Sequence, residues 1–181
     1  MSERPWNILV LCTGNSARSL LAEALFGALG GGRVRAFSAG SRPAGKVNPF
    51  ALELLDAQGL DSAHLRSKSW DEFAAPGAPA LELVVTVCGT AANERCPVWP
   101  GGPLKAHWGV DDPAAAVGSE AEIRAAFMKA YALLAERILT FLSLSFEDMD
   151  RGELQRHLDE IGRAGAAAMV PEGPSFSDDL S

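Results

Sequence analysis

The chain predicts an α/β fold: three layers, αβα, around a central four-stranded parallel sheet. Short apolar runs rich in β-branched residues alternate with segments of helical periodicity, the pattern of parallel strands joined by helical crossovers. The length, 181 residues, suits one domain that buries its own core without disulfides or structural metal. Three chemistry-bearing features, Cys12, Cys88 and Asp112, each follow an expected strand. That is the end of a parallel sheet at which ligands bind.

The elements follow in order. Asn7–Leu11 reads as a buried strand. A helix starts at Ser16 or Ala17, with Leu20, Leu21, Ala24, Leu25 and Ala28 on one face, and Gly30-Gly31-Gly32 stops it. Arg33–Ser38 is the second strand. Asn48-Pro49 opens a helix with a capping side chain and a first-turn proline, and Gly59 closes it. Trp70–Ala74 allows one helical turn. Leu81–Val87 is a central strand that delivers Cys88, and Lys105–Trp108 is the last strand. Glu120–Leu142 is a long amphipathic helix. Phe146–Ile161 is a further helix, to pack on the domain or to make a dimer contact. The expected organisation is a main domain over 1–145, an added C-terminal helix over 146–163, and a flexible tail over 164–181, where periodicity is lost.

A net charge of -7 disfavours a general nucleic-acid binder, which needs clustered cations. No apolar run reaches membrane-spanning length, and the N-terminus lacks the segments of a signal peptide. The expected location is the cytoplasm, where Cys12, Cys88 and Cys96 stay reduced. Three cysteines at these spacings do not close a zinc set, and no cofactor is expected.

The stretch Cys12-Thr13-Gly14-Asn15-Ser16-Ala17-Arg18-Ser19 carries the chemistry. A strand-to-helix turn leaves backbone N–H groups without intrahelical partners, and a curled loop gathers them into an anion nest at the positive helix end. Gly14 supplies backbone freedom, Asn15 tolerates the left-handed conformation, and Arg18 offers a planar fork to two anion oxygens. The loop lacks the lysine of nucleotide-binding loops. Instead a thiol lies at its floor, and the helix dipole and Arg18 favour its thiolate. Ser19 is placed to donate to that thiolate. A thiolate beneath a tetrahedral oxyanion invites in-line attack on phosphorus or arsenic, with Asp111 or Asp112 as candidate acid for the leaving oxygen. The competing reading makes Cys12 a core thiol and Arg18 a surface residue; the strand before, the helix after and the aspartate-proline loop weigh against it.

The motifs CTGNSARS, Phe37-Ser38-Ala39-Gly40, Asn48-Pro49 and HWGVDDPA resemble the low-molecular-weight tyrosine phosphatase fold, and more closely the arsenate reductases built on it. The likeness spans about Asn7–Leu142. It implies Cys12 as nucleophile, Arg18 as anion clamp and Asp112 as general acid, with Thr13, Gly14, Asn15, Ser16, Ala17 and Ser19 completing the anion loop; Asp111 becomes a loop residue. Where the phosphatases carry aromatic residues after the aspartate-proline, this chain has Ala114-Ala115-Ala116. The resemblance further implies a thiol relay: Cys88 attacks the Cys12–arsenic adduct and releases arsenite, and Cys96 takes over the disulfide for an external reductant. The implied partners are arsenate, with phosphate or sulfate as mimics, and either thioredoxin or glutathione with glutaredoxin. The segment between Cys88 and Cys96 is one residue longer than in the best-matching relay enzymes, and position 17 is alanine where many have cysteine. Some relatives bind potassium behind the loop. Asn15, Glu23 and Ser38 match those positions, and Lys68 stands where an aspartate would, so independence of potassium is expected. A tyrosine phosphatase, and a non-catalytic redox or oxyanion sensor, are the competing functions.

Overall fold

The computed structural model describes residues 4–89 and 97–169. Its elements are β1 (Trp6–Leu11), α1 (Arg18–Leu29), β2 (Val34–Ala39), α2 (Pro49–Ala57), α3 (Asp71–Ala74), β3 (Leu83–Thr86), β4 (Leu104–His107), α4 (Glu120–Leu142) and α5 (Arg151–Met169), with single 3₁₀ turns at Pro113–Ala115 and Phe146–Asp148. All four strands are parallel, in the order β2-β1-β3-β4. The chain leaves β1 toward one edge and returns on its other side as β3. The reversal of strand order therefore falls between β1 and β3, where a crevice opens at the carboxyl ends. In register, Leu11 pairs with Thr86, so Cys12 and Cys88 emerge side by side.

β1 is buried on both faces, as its unbroken apolar run requires. Ile8 and Val10 face the larger core, with α1, α2, α4 and α5; Leu9 and Leu11 face a smaller one with Phe73, Leu81, Val84 and Trp99. The three layers are thus unequal, because the single turn α3 is the helix on the thin side. Burial of α1 is wider than its expected stripe: every residue from Ser19 to Phe26 is buried, while Ala28 is exposed. The helix is wedged between the sheet and α4, so its first two turns have no solvent face. Asn48 caps α2, accepting from the Phe50 N–H at 2.9 Å.

The C-terminal segment packs on the domain. Phe146 stacks on Phe141, with ring centroids 4.5 Å apart. The helix begins later than expected, at Arg151, and runs past Ile161 to Met169. Residues 163–169, Arg-Ala-Gly-Ala-Ala-Ala-Met, are rich in strong helix formers with no proline to stop them. The helix thus reaches into the expected tail as far as Met169, and the remaining tail lies outside the described residues. α5 runs along the open edge of β4. There Gln155 Nε2 donates to the Lys105 carbonyl at 2.8 Å and Trp108 Nε1 to the Leu158 carbonyl at 3.1 Å. An edge that would otherwise invite strand pairing is covered.

Candidate active site

The loop after β1 is shaped from outside by the segment after β2. The N–H groups of Arg42, Ala44 and Asn48 donate to the carbonyls of Thr13, Gly14 and Ser16 at 3.0, 2.9 and 2.8 Å. With those carbonyls turned outward, amide hydrogens turn in. The Gly14 N–H points at the Cys12 sulfur, and the Thr13 N–H donates to Cys88 Sγ at 3.3 Å. The left-handed residue is Asn15, at φ 42°, while Gly14 has no positive φ and room for a Cβ. The curl thus depends on Asn15 and not on the glycine expected to supply freedom. A different glycine is indispensable: a Cβ on Gly40 would lie 2.8 Å from the Cys12 carbonyl oxygen and nearer still to that of Thr13.

A buried polar network ties the loop down. Asn15 Nδ2 donates to Ser19 Oγ at 2.8 Å and to Ser38 Oγ at 3.0 Å; Ser38 donates to Glu23 at 2.6 Å. Asn15 Oδ1 accepts from the Lys68 N–H at 2.9 Å. The Lys68 ammonium lies 3.6 Å from Glu23 Oε1, both side chains under a tenth exposed, and donates to the Arg66 carbonyl. Burial pulls the Lys68 pKa down and Glu23 pulls it up. Ser19 Oγ is the acceptor in its bond with Asn15, which orders the loop and leaves the hydroxyl proton to donate. Lys68→Met takes one cation from the buried Glu23 carboxylate, which keeps the Ser38 hydroxyl and His64 beside it, and thermal or urea unfolding should report a loss of about 1–3 kcal/mol; a change within experimental error would deny the pair any structural weight.

The cleft has a volume of about 260 Å³ and is lined by loop residues from Cys12 to Arg18, with Cys88 and Asp112 opposite. None of these lining residues is aromatic. Arg18 Nη1 donates to the Val110 carbonyl at 2.8 Å, and Nη2 lies 3.6 Å from Asp112 Oδ2. The other Asp112 oxygen accepts from the Ala114 N–H at 3.0 Å, which aims the carboxyl at the cleft mouth.

Cys12 and Cys88 are both buried thiols, their side chains in hydrogen-bond contact. Thr13 Oγ1 adds a 3.4 Å contact to Cys88 Sγ. The Cys12 pKa is pushed far above the ordinary thiol value, first by the hydrogen bond with Cys88, then by burial; Arg18 and the Gly14 N–H pull it down but do not prevail. Arg18 and the loop act on Cys12 in the expected direction, and the Cys88 sulfur and burial act against them. Two adjacent sulfurs ionise as a pair, and charge on one opposes charge on the other.

The structure thus gathers Cys12, Thr13, Gly14, Ser16, Ala17, Arg18, Cys88 and Asp112 around one cleft and puts Asn15 and Ser19 behind it. Cys96 lies outside the described residues. Sequence reasoning missed the Val110 carbonyl, the 41–48 brace and Arg137, an arginine on the apolar stripe Phe127, Ala130, Leu134 and Phe141 of α4. That misplaced charge was the available signal.

A thiol, inward amides and an arginine fork at the carboxyl end of a parallel sheet make a cleft of the size and charge to hold a tetrahedral oxyanion over a sulfur. Residues 7–155 match the family model described as low molecular weight phosphotyrosine protein phosphatase, and the chain belongs to that family. An arsenate reductase of Halalkalibacterium halodurans is 39% identical over 134 residues, 74% of this chain and 93% of the relative. The structure of an arsenate reductase from Archaeoglobus fulgidus superposes with TM-score 0.59 at 28% identity, covering 76% of this chain and 99% of that one. A thioredoxin-dependent arsenate reductase from Corynebacterium glutamicum gives TM-score 0.58 at 25% identity, covering 80% and 65%. Among the described residues no helix is long and apolar enough to cross a membrane.

Proposed function

We propose that this chain reduces arsenate to arsenite. The observation that carries the reading is the second thiol: Cys88 lies in hydrogen-bond contact with Cys12 at the floor of the oxyanion cleft. An ester hydrolase needs one thiol there and gains nothing from a neighbour that opposes its ionisation.

In the reaction, the loop amides and Arg18 hold arsenate, as they would phosphate or sulfate. Cys12, as thiolate, attacks arsenic; a Cys12 S–As bond forms and an arsenic–oxygen bond breaks, the leaving oxygen taking the Asp112 proton and departing as water. Cys88 then attacks the Cys12 sulfur. The S–S bond forms, the S–As bond breaks, and its electron pair stays on arsenic, which leaves as arsenite. The two thiols have supplied both electrons. Cys96, as thiolate, attacks Cys88 and restores the Cys12 thiol. An external dithiol of the thioredoxin class, or glutathione with glutaredoxin, reduces the resulting disulfide. Such a cycle belongs in the reducing cytoplasm.

A tyrosine phosphatase is the second reading, favoured by the shared loop. The absence of aromatic side chains among the residues lining the cleft weighs against a phosphotyrosine ring. Mixing fully reduced protein with arsenate, without added thiol, decides. One arsenite per chain supports the internal relay; none until glutathione is added moves the reduction to the glutaredoxin-linked route; none under either condition, with phosphate esters still cleaved, makes this a phosphatase. In Asp112→Asn the steady-state rate should fall by roughly 10²–10⁴ with phosphate affinity retained, and an unchanged rate would remove Asp112 from the acid's role. With the Lys68 ammonium supplying positive charge behind the loop, replacing sodium by potassium should leave the rate unaltered.

A further inference from the structure

We propose that Arg137 is a positioning residue that holds the acid loop, and through it Arg18, in working geometry. The inference rests on Arg18 and Asp112 being clamp and acid. Arg137 projects from α4 into the core and is 2% exposed. Among the described residues no carboxylate lies within ion-pairing distance of it. Its guanidinium reaches two carbonyls, Nη1 donating to Gly109 at 2.9 Å and Nη2 to Gly162 of α5 at 3.2 Å, while the buried Nε has no hydrogen-bond partner among the described residues. A buried cation without a counterion is costly to keep.

What it holds is the backbone one residue before the acid loop. Past β4 the chain stays extended: the Trp108 and Val110 N–H groups donate to Thr86 and Val87 at 2.8 and 2.9 Å. Alternate residues face β3, so the Gly109 carbonyl points the other way, off the open edge of the sheet. Arg137 meets it there. The next carbonyl, Val110, receives Arg18 Nη1, and Asp112 follows two residues later. Arg137 thus pins one side of the peptide strip whose other side aims the anion clamp.

The far anchor is α5. Gly162 lies against the His107 carbonyl, and a Cβ there would also stand 3.2 Å from the Trp108 ring. Only glycine lets the helix approach closely enough for its 162 carbonyl to meet Arg137. The family match ends at residue 155, the fifth residue of α5, so this anchor lies beyond the matched region. The C-terminal helix therefore acts as a brace on the catalytic face, and the brace runs Gly162, Arg137, Gly109.

The test uses Arg137→Met and Arg137→Lys in the full chain. Single-turnover arsenite release, steady-state phosphate-ester cleavage, phosphate affinity and thermal melting are measured together. The expected result for Arg137→Met is a folded protein whose kcat/KM falls roughly ten- to hundredfold, with weakened phosphate binding. Arg137→Lys should retain more activity, and millimolar guanidinium ion should partly rescue Arg137→Met. A folded Arg137→Met with wild-type kcat, KM and phosphate affinity overturns the proposal. So does equal impairment of the two variants without rescue, which marks a purely structural arginine. If Arg137→Met does not fold, Gly162→Ala, which pushes α5 outward and leaves Arg137 intact, takes its place; wild-type kcat/KM there is equally fatal. If wild-type protein releases no arsenite with or without glutathione yet cleaves esters, the arsenate reading fails, and the ester and phosphate measurements still judge Arg137.

Discussion

Replacing Cys88 by serine should split the two activities of the loop. Arsenite release in a single turnover should fall by roughly a thousandfold or more, since the residue that breaks the sulfur–arsenic bond is gone. Cleavage of an activated phosphate ester, which needs Cys12, Arg18 and Asp112, should survive. At neutral pH it should rise. The Cys88 sulfur is the largest cause of the raised Cys12 pKa, and a serine hydroxyl carries no charge to oppose the Cys12 anion. With Cys88 gone, Arg18 and the Gly14 N–H act against burial alone, so the Cys12 pKa falls and the thiolate fraction grows. Thiolate absorbance in the far ultraviolet, followed against pH, should show the titration of Cys12 moved to lower pH than in the wild type. Wild-type arsenite release by Cys88→Ser would remove Cys88 from the relay. A Cys12 titration unmoved by the substitution would mean that the contact between the sulfurs does not set the nucleophile's ionisation.

Gly40→Ala should be nearly as damaging, although Gly40 belongs to neither the cleft nor the relay. Its Cα is pressed against the carbonyls of Cys12 and Thr13, and a Cβ would stand 3.0 Å from that of Asn15. The obstacles are backbone, so no side chain can rotate away. The loop must lift, and with it the nucleophile and the amides; a displacement of about 1 Å is enough to cost a hundredfold in kcat/KM. KM for arsenate should rise as well, because the nest itself is distorted. Gly27→Ala supplies the control. It lies in α1 with nothing within 4 Å of its Cβ position, so alanine should be neutral to activity and should stabilise the helix by about 0.5–1 kcal/mol. If Gly40→Ala kept wild-type kinetics, the loop would have to be far more tolerant than its packing implies.

Much of this site is legible in the chain. Apolar runs that end on Cys12 and Cys88 state that two thiols sit at strand ends, and the C-x5-R spacing with Asn15 gives a curled anion loop, because local conformation obeys local sterics. Glu120–Leu142 is readable to the residue, since Ser119 caps it, accepting from the Glu122 N–H at 3.2 Å, and its periodicity is long. Lys68, expected behind the loop where relatives carry an aspartate, sits beside Glu23.

Other features escape one-dimensional reading. The end of α5 moved because alanine-rich sequence without alternation looks like loop yet propagates a helix already nucleated. The opposing effect of Cys88 on Cys12 is not legible in sequence, because the two are 76 positions apart and meet only through strand order. The Arg18 hold on Val110 and the Arg137 hold on Gly109 are bonds to backbone carbonyls, which every residue possesses and no motif records. The amino-acid sequence by itself determined which groups can do chemistry, and on which strand ends they stand. The tertiary structure alone decided their mutual distances, and with them the pairing of the two sulfurs, because charge and covalent exchange both act over contact distances that sequence separation does not measure.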